Sequence, residues 1–193
     1  MTDFLPENYE VPVIFGEYLN KLPEGETTMR ILSSAIIGWE GWKQAVGSKG
    51  EKIRKPVRFR MNEKPVDLRP FDKQKLNHFW AFVIWNYNAN KIQIYEVTQK
   101  TIQGEIQAYT KNLRWGDPKL YDLTISRKGT TIEDTEYHVM ANPPIEEITT
   151  EIENAYLEKP INLEAMFDDG DPFNKNTETI IPEDEMEIEF NKL

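Results

Sequence analysis

The chain of 193 residues has no cysteine and only two histidines, His78 and His138. Without thiols there can be no disulfide and no thiolate-held zinc, and two histidines are too few for a histidine-rich metal centre. Long apolar runs are missing too: no stretch approaches the roughly 18 residues that a membrane-spanning helix needs. The opening MTDFLPENYE lacks the basic and apolar regions of a secretory signal. These absences point to a soluble, cytoplasmic protein. Catalytic signatures are also missing, with no Gly-rich phosphate loop, no Gly-x-Ser-x-Gly elbow and no His-Glu-x-x-His helix. Asp117, Asp122, Glu133 and Asp134 fall in turns and on polar strand faces, where solvated carboxylates belong, so a two-metal hydrolytic site is disfavoured. The expectation is a protein that is not an enzyme and needs no cofactor.

What is present is charge, unevenly placed. The overall net charge of −10 hides a segment from Lys43 to Lys75 with eleven basic and four acidic residues, and a stretch from Pro143 to Leu193 with three basic and fifteen acidic ones. The first is a footprint for a polyanion and the second imitates one. At 39% hydrophobic and 11% aromatic, the first 140 or so residues can close one core, whereas the last fifty look too polar for a second.

Periodicity divides the chain into four parts. Residues 1–26, broken by Pro6, Pro12, Gly16, Pro23 and Gly25, read as an extended lead-in. Thr27 to Lys43 is rich in β-formers and is interrupted at Ser33-Ser34, which suits one long bent strand. Residues 44–77 read as a long basic loop with a short ribbon around Val57, Phe59 and Met61. HFWAFVIWNY (78–87) and Lys91 to Thr98 make a hairpin. Thr98 is placed to cap a helix carrying Ile102, Ile106 and Tyr109, and strands from Leu120 to Arg127 and from Thr135 to Ala141 follow. The order strand, strand, strand, helix, strand, strand is that of the five-stranded oligonucleotide-binding (OB) fold, a mainly β Greek-key barrel. It spans 27–142. Residues 143–167 add a helical extension marked by Ile145, Ile148, Ile152 and Tyr156, and 168–193 read as a disordered acidic tail.

Candidate DNA-binding residues follow from chemistry. Lys49, Lys52, Arg54 and Lys55, the pair Arg58 and Arg60, and Arg127 with Lys128 supply cations in the two loops that flank an OB binding face. Rings beside cations let bases stack, which brings in Trp42, Phe59 between its arginines, and Trp80 with Phe82. In 78–87 both alternate sets are apolar. Ala81 and Val83 suit a narrow interior, which would turn Trp80 and Phe82 outward. In the tail, Met186, Ile188 and Phe190 alternate with carboxylates, a pattern that can lie in a basic groove or dock on a partner.

The segments MRILSSAIIGWEGW (29–42), HFWAFVIWNY with KIQIYEVTQKTIQ (78–87 and 91–103), WGDPKLYDLTISRKG (115–129) and PINLEAMFDDGDPF (160–173) resemble the single-stranded DNA-binding proteins of tailed bacteriophages. The resemblance implies an OB barrel that coats single strands during phage DNA replication, recombination and repair in the host cytoplasm, as an oligomer or a cooperative filament. It also implies an acidic tail that competes with DNA or docks replication proteins. One departure is plain: Phe190 is followed by Asn191, Lys192 and Leu193, so the chain does not end on the aromatic residue common in such tails. The competing expectations are a protein-interaction module with no affinity for nucleic acid, and a strand-annealing enzyme or nuclease.

Overall fold

The computed structural model describes residues 16–19, 21–71, 75–131 and 133–174. Its elements are β1 (Tyr18–Leu19), β2 (Gly25–Ile31), β3 (Ile36–Val46), β4 (Lys52–Arg60), β5 (Asn77–Asn86), β6 (Lys91–Val97), α1 (Lys100–Thr110), β7 (Asp122–Lys128), β8 (Glu136–Asn142) and α2 (Thr149–Glu158). The protein is mainly β, as its patterning predicts.

The long bent strand expected from Thr27 to Lys43 is β2 followed by β3, both antiparallel to β5. Ile31 pairs with Ile84 and Ile36 with Ala81, so five steps on one side match three on the other and two residues bulge out. The backbone N–H of Val83 donates to Ser33 Oγ, and its carbonyl accepts from Leu32 N–H, both at 2.9 Å. The bulge thus leaves no orphaned backbone group on Val83.

Pairing runs β1-β6-β5-β2-β7-β8, with β3 and β4 as a side branch. Counting β2 with β3 as the first strand, the first-to-second, second-to-third, first-to-fourth and fourth-to-fifth contacts of the OB order are all present. The sheet is open, because β6 and β8 do not pair among the described residues. Helix α1 bridges them: Gln103 donates to the Val97 carbonyl at 2.9 Å, and the Glu105 carboxylate accepts from Val139 N–H. Gln99 is the residue before this helix and makes no side-chain cap, so Thr98 does not have the capping role its sequence position suggested.

Both faces of β5 are buried. Phe82 and Ile84 point into a core with Met29, Ile31, Tyr95, Leu123 and Ile125, closed by Ile102 and Ile106 of α1. Phe79, Ala81, Val83 and Trp85 point the other way, where Ile152, Ile161, Leu163 and Met166 cover them. The C-terminal stretch therefore does help to build a second core, contrary to the expectation from its polarity. Four such side chains at roughly 1.5–3 kcal/mol each outweigh a high acidic content carried on the outer face. The segment read as disordered from Asp168 is likewise folded as far as Asn174. The 3-10 turn Leu163–Asp168 is followed by Gly170 N–H bonding to the Ala165 carbonyl at 2.9 Å, and Phe173 meets the edge of Tyr18 at 5.6 Å.

A buried latch fixes where this C-terminal layer begins. Asp122 accepts from Arg30 Nε at 2.7 Å, from Ile145 N–H at 2.9 Å and from the Tyr87 hydroxyl at 3.0 Å, while Arg30 also donates to Thr149 Oγ1 at 2.8 Å. The lead-in is anchored as well: β1 runs parallel to β6, and Leu19 and Leu22 are buried.

The region expected to be a loop differs most from expectation. Lys52–Arg60 pairs with β3 over its full length, from Gly38↔Arg60 to Val46↔Lys52, whereas β5 follows β3 only from Ile36 to Glu40. The outer half of this β3–β4 ribbon thus stands beyond the sheet. Pro56 and the alternating cations hid the strand in the sequence. Both are tolerated because β4 is an edge, where a missing N–H breaks no ladder and charge discourages further pairing. Phe71 and Leu76 fold back over Gly41, where a Cβ would come within 2.6–2.7 Å of their side-chain carbons.

Candidate nucleic-acid interface

Residues opposite each other on a ribbon share a face. One face carries Val46 and Lys52, Gln44 and Arg54, Trp42 and Pro56, then Glu40 and Arg58. The other carries Ala45 and Ile53, Lys43 and Lys55, Gly41 and Val57, then Trp39 and Phe59.

The outer half presents its charge to solvent. Lys49, Lys52 and Arg54 are exposed and have no ion pair among the described residues. The Arg54 guanidinium lies 5.7 Å from the ring centre of Trp42, which is 37% exposed. Lys43 lies 5.6 Å from the ring of Phe71. Lys55, halfway down, meets Asp169 at 3.1 Å.

The inner half is committed. Arg58 sits between Glu96 at 2.5 Å and Glu40 at 3.1 Å and over the ring of Phe79. Arg60 meets Glu164 and Asp168 at 3.3 Å each and lies 4.8 Å over Phe167. Phe59 is half-buried, edge-on to Phe71. Glu40 is pushed up to about 8, first by burial and then by Glu96 beside it, against the lowering pull of Arg58.

Three expected contacts do not hold. Phe82 is 2% exposed and belongs to the core, because α1 packs on the side of β5 that was expected to face DNA. Arg127 is 9% exposed and donates to the Leu22 carbonyl, so it ties β7 to the lead-in instead of reaching outward. Arg58, half-buried, is the counter-ion of Glu40 and Glu96. Trp80, on the same side as Phe82 but nearer the ribbon, stays half-exposed in an edge-to-face row with His78 and Trp39, at 6.4 and 5.4 Å. Lys64 lies 3.8 Å over Trp39. Beyond Trp80 is an apolar cavity of about 250 Å³ lined by Ile31, Ala35 and Ile106. Lys128 is exposed at the end of β7. Met186, Ile188 and Phe190 lie outside the described residues.

The sequence reading left Lys43, Trp39, Lys64 and His78 out of the site. Trp39 and His78 meet only because Trp39 pairs with His78 across β3 and β5, a register that no local pattern announces. A stronger signal was overlooked: Glu40 is a lone acid inside the apolar run IIGWEGW, and a buried charge needs a partner.

Comparison with protein-family models, with curated proteins and with solved structures finds no match to this chain. No group of His, Asp or Glu placed to hold a metal ion occurs among the described residues, and none of their helices is long and apolar enough to cross a membrane. The fold and the site together define an OB-like β domain with a cationic, aromatic ribbon at one edge.

Proposed function

We propose that this chain binds single-stranded DNA without a fixed target sequence, as a non-enzymatic coat on strands exposed during phage DNA replication, recombination and repair in the host cytoplasm. The observation that carries the reading is the outer ribbon: the exposed side chains of Lys49, Lys52 and Arg54 make no ion pair among the described residues, and the exposed Trp42 lies under Arg54. Cations in a row release counterions from a strand, and a ring beside them accepts any base for roughly 1–3 kcal/mol. The Trp39, His78 and Trp80 row offers further stacking on the opposite face. The resemblance of the segments 29–42, 78–87, 91–103, 115–129 and 160–173 to phage single-strand binders points the same way.

The acidic C-terminal region fits as a competitor. Glu164, Asp168 and Asp169 already occupy Arg60 and Lys55, at positions where phosphates would otherwise lie. Residues 175–193 extend the same chemistry, and Met186, Ile188 and Phe190 would dock a replication partner once DNA displaces the tail.

The test is a titration of tryptophan fluorescence with a single strand and with a duplex of equal length, at low and moderate salt. The expected result is quenching by the single strand, tighter binding than to the duplex, and a steep loss of affinity with salt. Equal affinity for the two forms, or affinity indifferent to salt, would overturn the reading.

A further inference from the structure

One cavity beside the ribbon has a chemistry that cations and stacking leave unused. On the face that carries Trp42 and Arg54, the ribbon, β1 and the end of β6 enclose about 530 Å³, bounded by Trp42, Tyr18, Glu40, Glu96, Asn77 and Gln99. That is the size of a small-molecule site and ample for a nucleobase. Its polar lining is rich in acceptors. Two carboxylates share the single guanidinium of Arg58, which lies 2.5 Å from Glu96 and 3.1 Å from Glu40. A carboxylate has about four acceptor sites, so this one shared cation leaves acceptor capacity on Glu96 for a further donor.

We propose that this cavity receives one base of the bound strand and selects bases that carry an exocyclic amino group. The inference rests on the single-stranded DNA reading and refines it. Trp42 forms one wall, so a base entering from the ribbon side can keep its face on an indole. Arg54 stands one same-face position further out, about 7 Å along the strand, and is placed to meet the adjoining phosphate.

The edge chemistry sets the preference. An ionised carboxylate can only accept. Cytosine offers the N4 amino group beside the acceptor N3, whereas uracil offers one N–H between two carbonyl oxygens that a carboxylate repels. Glu96 can therefore accept from cytosine, and Asn77 and Gln99, with both donors and acceptors, can complete the edge. A contact of this kind separates right from wrong bases by about tenfold.

The experiment is a titration of the full chain with dC12 and dU12, which differ in the base edge and not in backbone charge, at two salt concentrations and pH 7.5. The expected result is about tenfold tighter binding of dC12 at both salts. In Glu96→Gln, whose neutral amide can donate or accept and so serves either edge, the two oligomers should bind within about twofold of each other. Equal affinity of the unaltered protein for both, or discrimination that survives in Glu96→Gln, would overturn the base slot and leave the ribbon reading standing. Binding of neither would overturn both. The comparison in the unaltered protein decides the question whether or not the variant folds.

Discussion

The two halves of β4 carry similar charge and are put to different uses. In the inner half, Arg58 and Arg60 have carboxylates within 3.3 Å and aromatic rings beneath them. In the outer half, Lys49 in the turn and Lys52 and Arg54 on the strand have no such partner among the described residues. The difference lies in what the fold brings across: β6 delivers Glu96, β3 delivers Glu40, and the C-terminal layer delivers Glu164 and Asp168. The outer half extends past β5 and meets none of them. A run of cations in a sequence is thus a poor guide to which cations a ligand can use.

The sharpest way to break this contrast is Arg58→Ala. It leaves Glu40 and Glu96 facing each other in a buried site, and stability should fall by about 3 kcal/mol, read from the denaturant midpoint. The salt slope of DNA binding should not change; a flatter slope would place Arg58 in the interface after all. Next comes neutralising the acids with Glu164→Gln, Asp168→Asn and Asp169→Asn together. Freeing Arg60 and Lys55 should tighten binding several-fold and steepen the slope by about 1, at ~0.7 per phosphate contact. Unchanged binding would mean that those acids do not compete with DNA.

A further effect concerns pH. Glu40 holds its proton up to about 8 in the folded protein and to about 4.3 when unfolded. Its contribution is therefore fully present below pH 4 and is lost as pH rises toward 8. Urea midpoints at pH 5 and pH 8 should show the unaltered protein losing stability over this window, with the loss reduced in Glu40→Gln. Equal losses in both would remove Glu40 as the cause. The smallest effect belongs to Lys128→Ala. A single exposed cation away from the ribbon should change affinity less than twofold, and a larger change would extend the interface to the turn after β7.

Much of the fold was legible in local patterning. The β5–β6 hairpin, α1, and the alternation of Tyr121, Leu123 and Ile125 each state their element within a few residues. The bulge at Ser33-Ser34 was readable too. What escaped depends on contacts distant in sequence. Whether Phe82 or Phe79 faces the core under α1 cannot be read from a run with both faces apolar, because each face has its own cover, α1 on one side and residues 145–173 on the other. β4 was hidden by Pro56 and by charge, which an edge strand tolerates. Of the candidate site, Trp42, Lys49, Lys52, Arg54 and Lys128 are exposed as their composition suggested. Arg58, Arg60 and Arg127 are not free, since the oxygens that hold them within 3.4 Å belong to residues 18 to 108 positions away.

The most direct test of the outer ribbon is the salt dependence of single-strand binding by Lys49→Ala, Lys52→Ala, Arg54→Ala in one chain beside the unaltered protein. Three lost phosphate contacts should weaken binding about 100-fold at low salt and lower the slope of log K against log salt by about 2, with the denaturant midpoint unmoved. The same slope in both proteins, with folding intact, would contradict the claim that the outer half of β4 is where DNA binds.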